Sequence, residues 1–309
     1  MQDKLIVTID SGGSKSDFLL LDPTGERLGR ATAPGVASPR PGMLPVLESL
    51  RRGRDQLGDA AREPALVFCS LGGPNTAEVE ATLRTLFPES RVMVERESTG
   101  RMVLSCAPRY HAVAAVLCGT GSVAFGLLAQ NAPVQLSGGW GPLYGDEGSG
   151  GGLGTAALKR LLRAVDDGNA AQILPGCFPT LARPAANCGF AERMAFKDEV
   201  LALTRAQIAA ESPRIAALAD DGDAMALELL RNAATEVARL AGTVTPQQPW
   251  GDNDAILALG GFFRSGEHFH AMCDEALRPL RPDHHFCYEP FKIIDAAAEY
   301  ALRLNHELP

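Results

Sequence analysis

The chain has no excess of positive charge, no apolar run long enough to cross a membrane, no CxxC pair and neither common phosphate loop, and each absence removes a class of function. Its 29 Lys and Arg stand against 37 Asp and Glu, a net charge of −8. That is the wrong sign for displacing counterions from phosphates, so no nucleic-acid partner is expected. No segment approaches the ~20 apolar residues of a spanning helix. The opening MQDKLIVTID has no basic region leading into an apolar stretch and a cleavage site, so a cytoplasmic protein without membrane contact is expected. The cysteines, at 69, 106, 118, 177, 188, 273 and 287, are odd in number, which fits reduced thiols and no disulfide framework. GxxxxGK followed by Ser or Thr is absent. CGTGSVAFG partly imitates a dinucleotide fingerprint, but a strand-like run follows it, which disfavours a Rossmann site.

What is present is an ordinary globular composition, 46% hydrophobic and 21% charged. A length of 309 residues predicts two domains, each of roughly 150 residues. Residues 4–9 and 17–21 read as strands joined by the polar, glycine-bearing SGGSKS, and the turn Asp22-Pro23-Thr24-Gly25 leads to a third extended segment over 27–32. The plan recurs over 112–139, where AVAAVLC runs into GTGS, VAFGLLA follows, and Gln130-Asn131 turns the chain into PVQLSGG. This spacing fits an internal duplication, two α/β domains each presenting an amide-rich turn, and fits equally two unrelated hairpins. Amphipathic or strand-like segments alternate over 43–57, 65–69, 78–87 and 92–95. Helices are predicted over 156–165, 225–244 and 295–304, strands over 255–259 and 286–291, and loops over 174–193.

Three stretches carry candidate chemistry. Asp10 ends a buried strand ahead of Gly12, Gly13 and Ser14, whose backbone can approach a phosphate closely, and such a carboxylate can hold hydrated Mg²⁺. Thr120, Gly121 and Ser122 offer a second turn of hydroxyls and amides. GGWGPLYGDEGSGGGLG packs nine glycines into seventeen residues with Trp140, Asp146 and Glu147, and an aromatic beside carboxylates suits a sugar's apolar face and hydroxyl rim.

IDSGGSKS, CGTGS, GGWGPLYGDEGS and ALGGFFRS, in this order over residues 9–265, resemble the N-acetylglucosamine kinase group of the BadF/BadG/BcrA/BcrD ATPase family, within the actin/hexokinase-like superfamily. The resemblance implies an α/β protein of two actin-like (ribonuclease H-like) domains around an ATP and sugar cleft, over 1–110 and 111–294, with a C-terminal helix at 295–309 packing back on the first. It implies ATP and Mg²⁺ as cofactors. Asp10 would sit near the metal, Gly12, Gly13, Ser14, Lys15, Thr120, Gly121 and Ser122 around the phosphates, and Gly260-Gly261 under the adenosine. Gly139, Trp140, Asp146 and Glu147 would contact the sugar. Two departures stand out. The family's aspartate base is replaced by Glu97, with Glu95 the neighbouring alternative, and its sugar-contacting Asn by Ser38. The expected activity is phosphorylation of an amino sugar, N-acetylglucosamine or glucosamine, to its 6-phosphate. The resemblance also admits a homodimer. The alternatives are an ATPase activator of a 2-hydroxyacyl-CoA dehydratase type system, for which Cys177 and Cys188 would be candidate cluster ligands, and a catalytically weak sugar sensor.

Overall fold

A computed structural model describes residues 5–306 apart from 14, 37–44, 74, 97–98, 127–133, 187, 249–250 and 252–253. Ser14, Ser38, Glu97 and the turn at Gln130-Asn131 therefore lie outside the described residues. The strands are β1 (Ile6–Ser11), β2 (Lys15–Leu21), β3 (Arg27–Pro34), β4 (Leu66–Leu71), β5 (Arg91–Arg96), β6 (Ala112–Cys118), β7 (Ser122–Gly126), β8 (Gln135–Gly138), β9 (Ala255–Leu259) and β10 (His285–Tyr288). The helices are α1 (Val46–Gln56), α2 (Thr76–Leu86), α3 (Thr99–Cys106), α4 (Gly150–Asp166), α5 (Phe190–Ala202), α6 (Arg205–Ala209), α7 (Ser212–Asp220), α8 (Ala224–Val244), α9 (Glu267–Leu277) and α10 (Ile293–His306).

The chain divides into two compact units, Met1–Arg109 with Phe291–Pro309, and Tyr110–Pro290. The first is built on a sheet of order β3-β2-β1-β4-β5, in which β1, β2 and β3 pair antiparallel while β4 and β5 run parallel to β1. Every residue of β4 is buried, the pattern of a central parallel strand covered on both faces, whereas the outer β3 alternates. On α1 the buried Val46, Ser49, Leu50 and Gly53 form one helical stripe. Gly53 lets that stripe close on Phe18, because a Cβ there would lie 2.3 Å from the ring. The other face is covered by α10, which packs in turn against α3 and brings Tyr300 edge-on to Phe68 at 5.4 Å.

The second sheet has order β10-β9-β6-β7-β8. Counted from its own first strand, β6, this is the same third-second-first-fourth-fifth order with the same strand senses. Matched topology of this kind is what an internal duplication leaves, and two chance hairpins would not produce it. The unit's core centres on α8, whose Ala226, Leu230, Ala233, Val237, Ala241 and Val244 are buried. Gly126 admits the helix end, since a Cβ on it would fall 1.9 Å from the Val244 carbonyl oxygen.

Several boundaries differ from those the sequence suggested, and α5 begins at Phe190, inside the stretch expected to be loop. The helix expected from 156 begins at Gly150, because Ser149 caps it and accepts the Gly152 N–H at 3.0 Å. The strand expected to run to 291 stops at Tyr288, before Glu289, whose φ of 42° is left-handed and breaks the extended backbone. No described helix is long and apolar enough to cross a membrane.

Candidate functional site

In the first unit, Asp10 and Asp17 face each other across the β1–β2 pair, so two carboxylates share one side of the sheet. Their fates differ. Asp17 accepts from Lys15 Nζ at 2.6 Å and Thr32 Oγ1 at 3.0 Å, with Arg30 at 3.6 Å. Burial works to raise its pKa, but these partners prevail and hold the carboxyl below its ordinary range. Burial pushes Asp10 up to about 7, the Asp17 charge adds to the effect, and Lys15 only partly opposes it. Lys15, expected at the phosphates, is thus paired with Asp17 in this state.

The turn after Asp10 closes with the Gly12 N–H donating to the Lys15 carbonyl at 3.0 Å, so that amide serves the turn itself. Gly35 packs against the turn's outer side, where a Cβ would come within 2.3 Å of the Gly12 oxygen. Val36 N–H donates to Ser11 Oγ at 3.2 Å, and Asn75 Nδ2 donates to the Val36 carbonyl at 2.7 Å. Gly13 behaves differently. Its φ is not left-handed and a Cβ would meet nothing within 4 Å. Nothing in the surrounding chain requires glycine there, and the bare surface is what a closely approaching phosphate would use.

In the second unit, the Gly119–Ser122 turn and the Asp146–Gly152 segment form one assembly. Ser122 N–H donates to Asp146 Oδ1 at 3.2 Å, and Ser122 Oγ to the Glu147 carbonyl at 2.5 Å. Ser149 Oγ reaches the carbonyls of Asp146 (2.6 Å) and Thr120 (3.1 Å). The amides of Gly150 and Gly151 donate to the carbonyls of Gly119 and Thr120. The glycines make this contact possible. A Cβ on Gly151 would lie 2.3 Å from the Thr120 oxygen, and one on Gly121 would lie 2.6 Å from Asp146 Oδ1. Gly260, at φ 111°, closes against β6, with its Cβ position 2.4 Å from the Cys118 oxygen. Gly119 resembles Gly13 in leaving open space.

Asp146 is buried, at 5% exposure, with a left-handed φ of 67°. Burial raises its pKa against the opposing Arg205 guanidinium, which pairs with Oδ2. Arg205 also donates to the Thr120 carbonyl at 3.2 Å. Sequence reasoning missed Arg205, because it lies 59 residues from Asp146 on a five-residue helix outside every motif. Trp140, by contrast, is 78% exposed, and Leu143 and Tyr144 beside it are equally open. A cleft of about 390 Å³ runs between residues 142–148, the start of α4, Arg205 and α8, lined by Asp146 and Glu147 but not by Trp140.

Cys177 belongs to the apolar core at 1% exposure, and burial pushes its thiol up to about 11, the behaviour of a small hydrophobe. Cys188 is partly exposed.

The profile of the BadF/BadG/BcrA/BcrD ATPase family matches residues 7–278. The chain belongs to this family. Two curated relatives are similar to it: an N-acetylmuramic acid/N-acetylglucosamine kinase of Clostridium acetobutylicum, 26% identical over 56% of this chain and 58% of its own, and an N-acetyl-D-glucosamine kinase of Dictyostelium discoideum, 25% identical over 54% and 56%. The chain thus spans little more than half the length of the curated relatives it matches. A crystal structure described as a candidate N-acetylglucosamine kinase from Chromobacterium violaceum shares the fold of this BadF-family chain, with a TM-score of 0.70, 20% identity and coverage of 96% and 98% of the two chains. The α/β fold of two actin-like domains expected from the sequence is the fold found.

Proposed function

We propose that this BadF-family chain is an ATP-dependent sugar kinase that transfers the γ-phosphoryl group to a hydroxyl of an amino sugar, N-acetylglucosamine or glucosamine, giving the 6-phosphate. The observation that carries the reading is the repeated device of strand, bare glycine turn and strand, which leaves Gly13 and Gly119 open without any internal need for glycine. The names of the two curated relatives support the sugar class.

Asp10 fits a divalent cation by its place: it stands near the end of β1 beside the Gly12–Lys15 turn and faces Asp17 across the strand pair, so a cation there would favour the ionised carboxylate that burial opposes. Mg²⁺ held there with ATP would neutralise charge developing on the transferred phosphoryl group. The protein's own part is positioning. The turns at Gly12–Lys15 and Thr120–Ser122 bind phosphate oxygens, Gly260-Gly261 lies under the adenosine, and Gly139, Trp140, Glu147 and Ser38 present the sugar, while Asp146, expected beside them, is buried with both carboxylate oxygens on Ser122 and Arg205. Glu97, or its neighbour Glu95, takes the proton from the attacking hydroxyl.

ADP release from Mg-ATP, measured with N-acetylglucosamine, glucosamine, glucose, N-acetylmuramic acid or no sugar and coupled to mass analysis of the product, tests the reading. Strong stimulation by one amino sugar with a product heavier by one phosphoryl group is expected. ATP hydrolysis indifferent to every sugar would overturn it.

A further inference from the structure

We propose that Arg205 is a positioning residue that clamps the sugar-binding segment onto the phosphate turn, so that loosening it weakens nucleotide and sugar together; this rests on the function proposed above. The two motifs are far apart in sequence yet behave as one body. Gly119–Ser122 and Asp146–Gly152 share hydrogen bonds through Ser122, Ser149 and the first amides of α4. Every one of those contacts comes from within the motifs. Arg205 comes from outside them and touches both, donating to the Thr120 carbonyl on the phosphate turn and pairing with the Asp146 carboxylate on the sugar segment.

The guanidinium is held in place by its own helix. Thr204 and Gln207 form a reciprocal capping box that fixes the start of α6, so Arg205 is its first helical residue. Gly154 on α4 brings α6 close, because a Cβ there would lie 2.1 Å from the Ile208 oxygen. Asp146 therefore uses both carboxylate oxygens inside the protein, Oδ1 on the Ser122 amide and Oδ2 on Arg205. The segment's outward groups for a sugar are Trp140 and Glu147. Asp146 fixes where they stand.

The test uses the full chain carrying Arg205→Met, Arg205→Lys or Asp146→Asn. Mg-ADP affinity is measured by calorimetric titration without sugar, and KM and kcat are measured with the best amino sugar. Arg205→Met and Asp146→Asn should each weaken Mg-ADP and raise the sugar KM by about tenfold or more, the scale on which supporting shells act. The double variant should be no worse than either alone, since both remove one contact. Arg205→Lys, which keeps the charge and several donors, should recover at least half of the loss on a logarithmic scale. If Arg205→Met folds with a lower Tm but leaves both constants within twofold of wild type, Arg205 is merely structural and the proposal falls while the kinase reading stands. If Arg205→Met does not fold, Asp146→Asn decides by the same two constants. If the wild type turns over no sugar, the kinase reading falls and the Mg-ADP titration still decides whether Arg205 supports the phosphate turn.

Discussion

Asp10 shows how a single residue can oppose stability where the proposed kinase would use it for chemistry. Its carboxyl, near pKa 7 in the folded chain and near 3.8 as a free side chain, binds a proton more tightly folded than unfolded. Its contribution is therefore full below about pH 4 and is lost as pH rises through 7, a penalty on the order of 2–4 kcal/mol in the ligand-free protein. Asp10→Asn has no charge to bury. Relative to wild type, its Tm should be little changed at pH 4.5 and several degrees higher at pH 8, while sugar-dependent turnover falls by roughly a hundredfold or more. Melting curves at the two pH values and one turnover assay check both halves. A Tm advantage over wild type no larger at pH 8 than at pH 4.5 would show that Lys15 compensates the Asp10 charge fully.

At the scale of the element, the sheet strands were legible because their runs are β-branched, buried and punctuated by glycine turns, and β9 is found at the expected 255–259. The start of α4 was not legible, because Gly150-Gly151-Gly152 has poor helix propensity and reads as loop. Backbone packing against Thr120 and Asp146 overrides that propensity. Short helices such as α6 carry too few residues for periodicity to register, although Thr204 with Gln207 three positions on was a readable capping signal. The same contrast separates two classes of glycine. Gly154→Ala improves intrinsic propensity by about 1 kcal/mol, but it drives a Cβ into the Ile208 carbonyl. It should destabilise by about 1–3 kcal/mol and weaken Mg-ADP by shifting α6. Gly13→Ala meets open space at an ordinary φ. Its Tm should stay within a degree of wild type while Mg-ADP binding is lost. A Gly13→Ala variant with unchanged nucleotide affinity would remove the case for a phosphate at that turn.

At the scale of the whole molecule, each unit has a core of its own. Among the described residues, the buried members of one apolar cluster fall between 7 and 92 and those of the other between 114 and 286. The first unit is discontinuous, because α10 returns to it and buries Ile294, Ala296, Ala297, Ala298 and Ala301 over β1 and β4. Arg109 pairs with Glu299, and Arg303 reaches the Ser105 carbonyl, fastening that helix to α3. Both tryptophans, 140 and 250, fall within the span of the second unit, so their fluorescence reports on it, whereas far-UV circular dichroism reports on both. Ala297→Asp places an unpaired charge at a fully buried position on α10. It should destabilise the first unit by several kcal/mol, about 3 or more. The dichroism melt should then split, with an early phase some ten degrees or more below the wild-type transition, while the tryptophan transition moves by no more than a degree or two. Coincident melts that shift together by both probes would mean that the two cores unfold as one cooperative body.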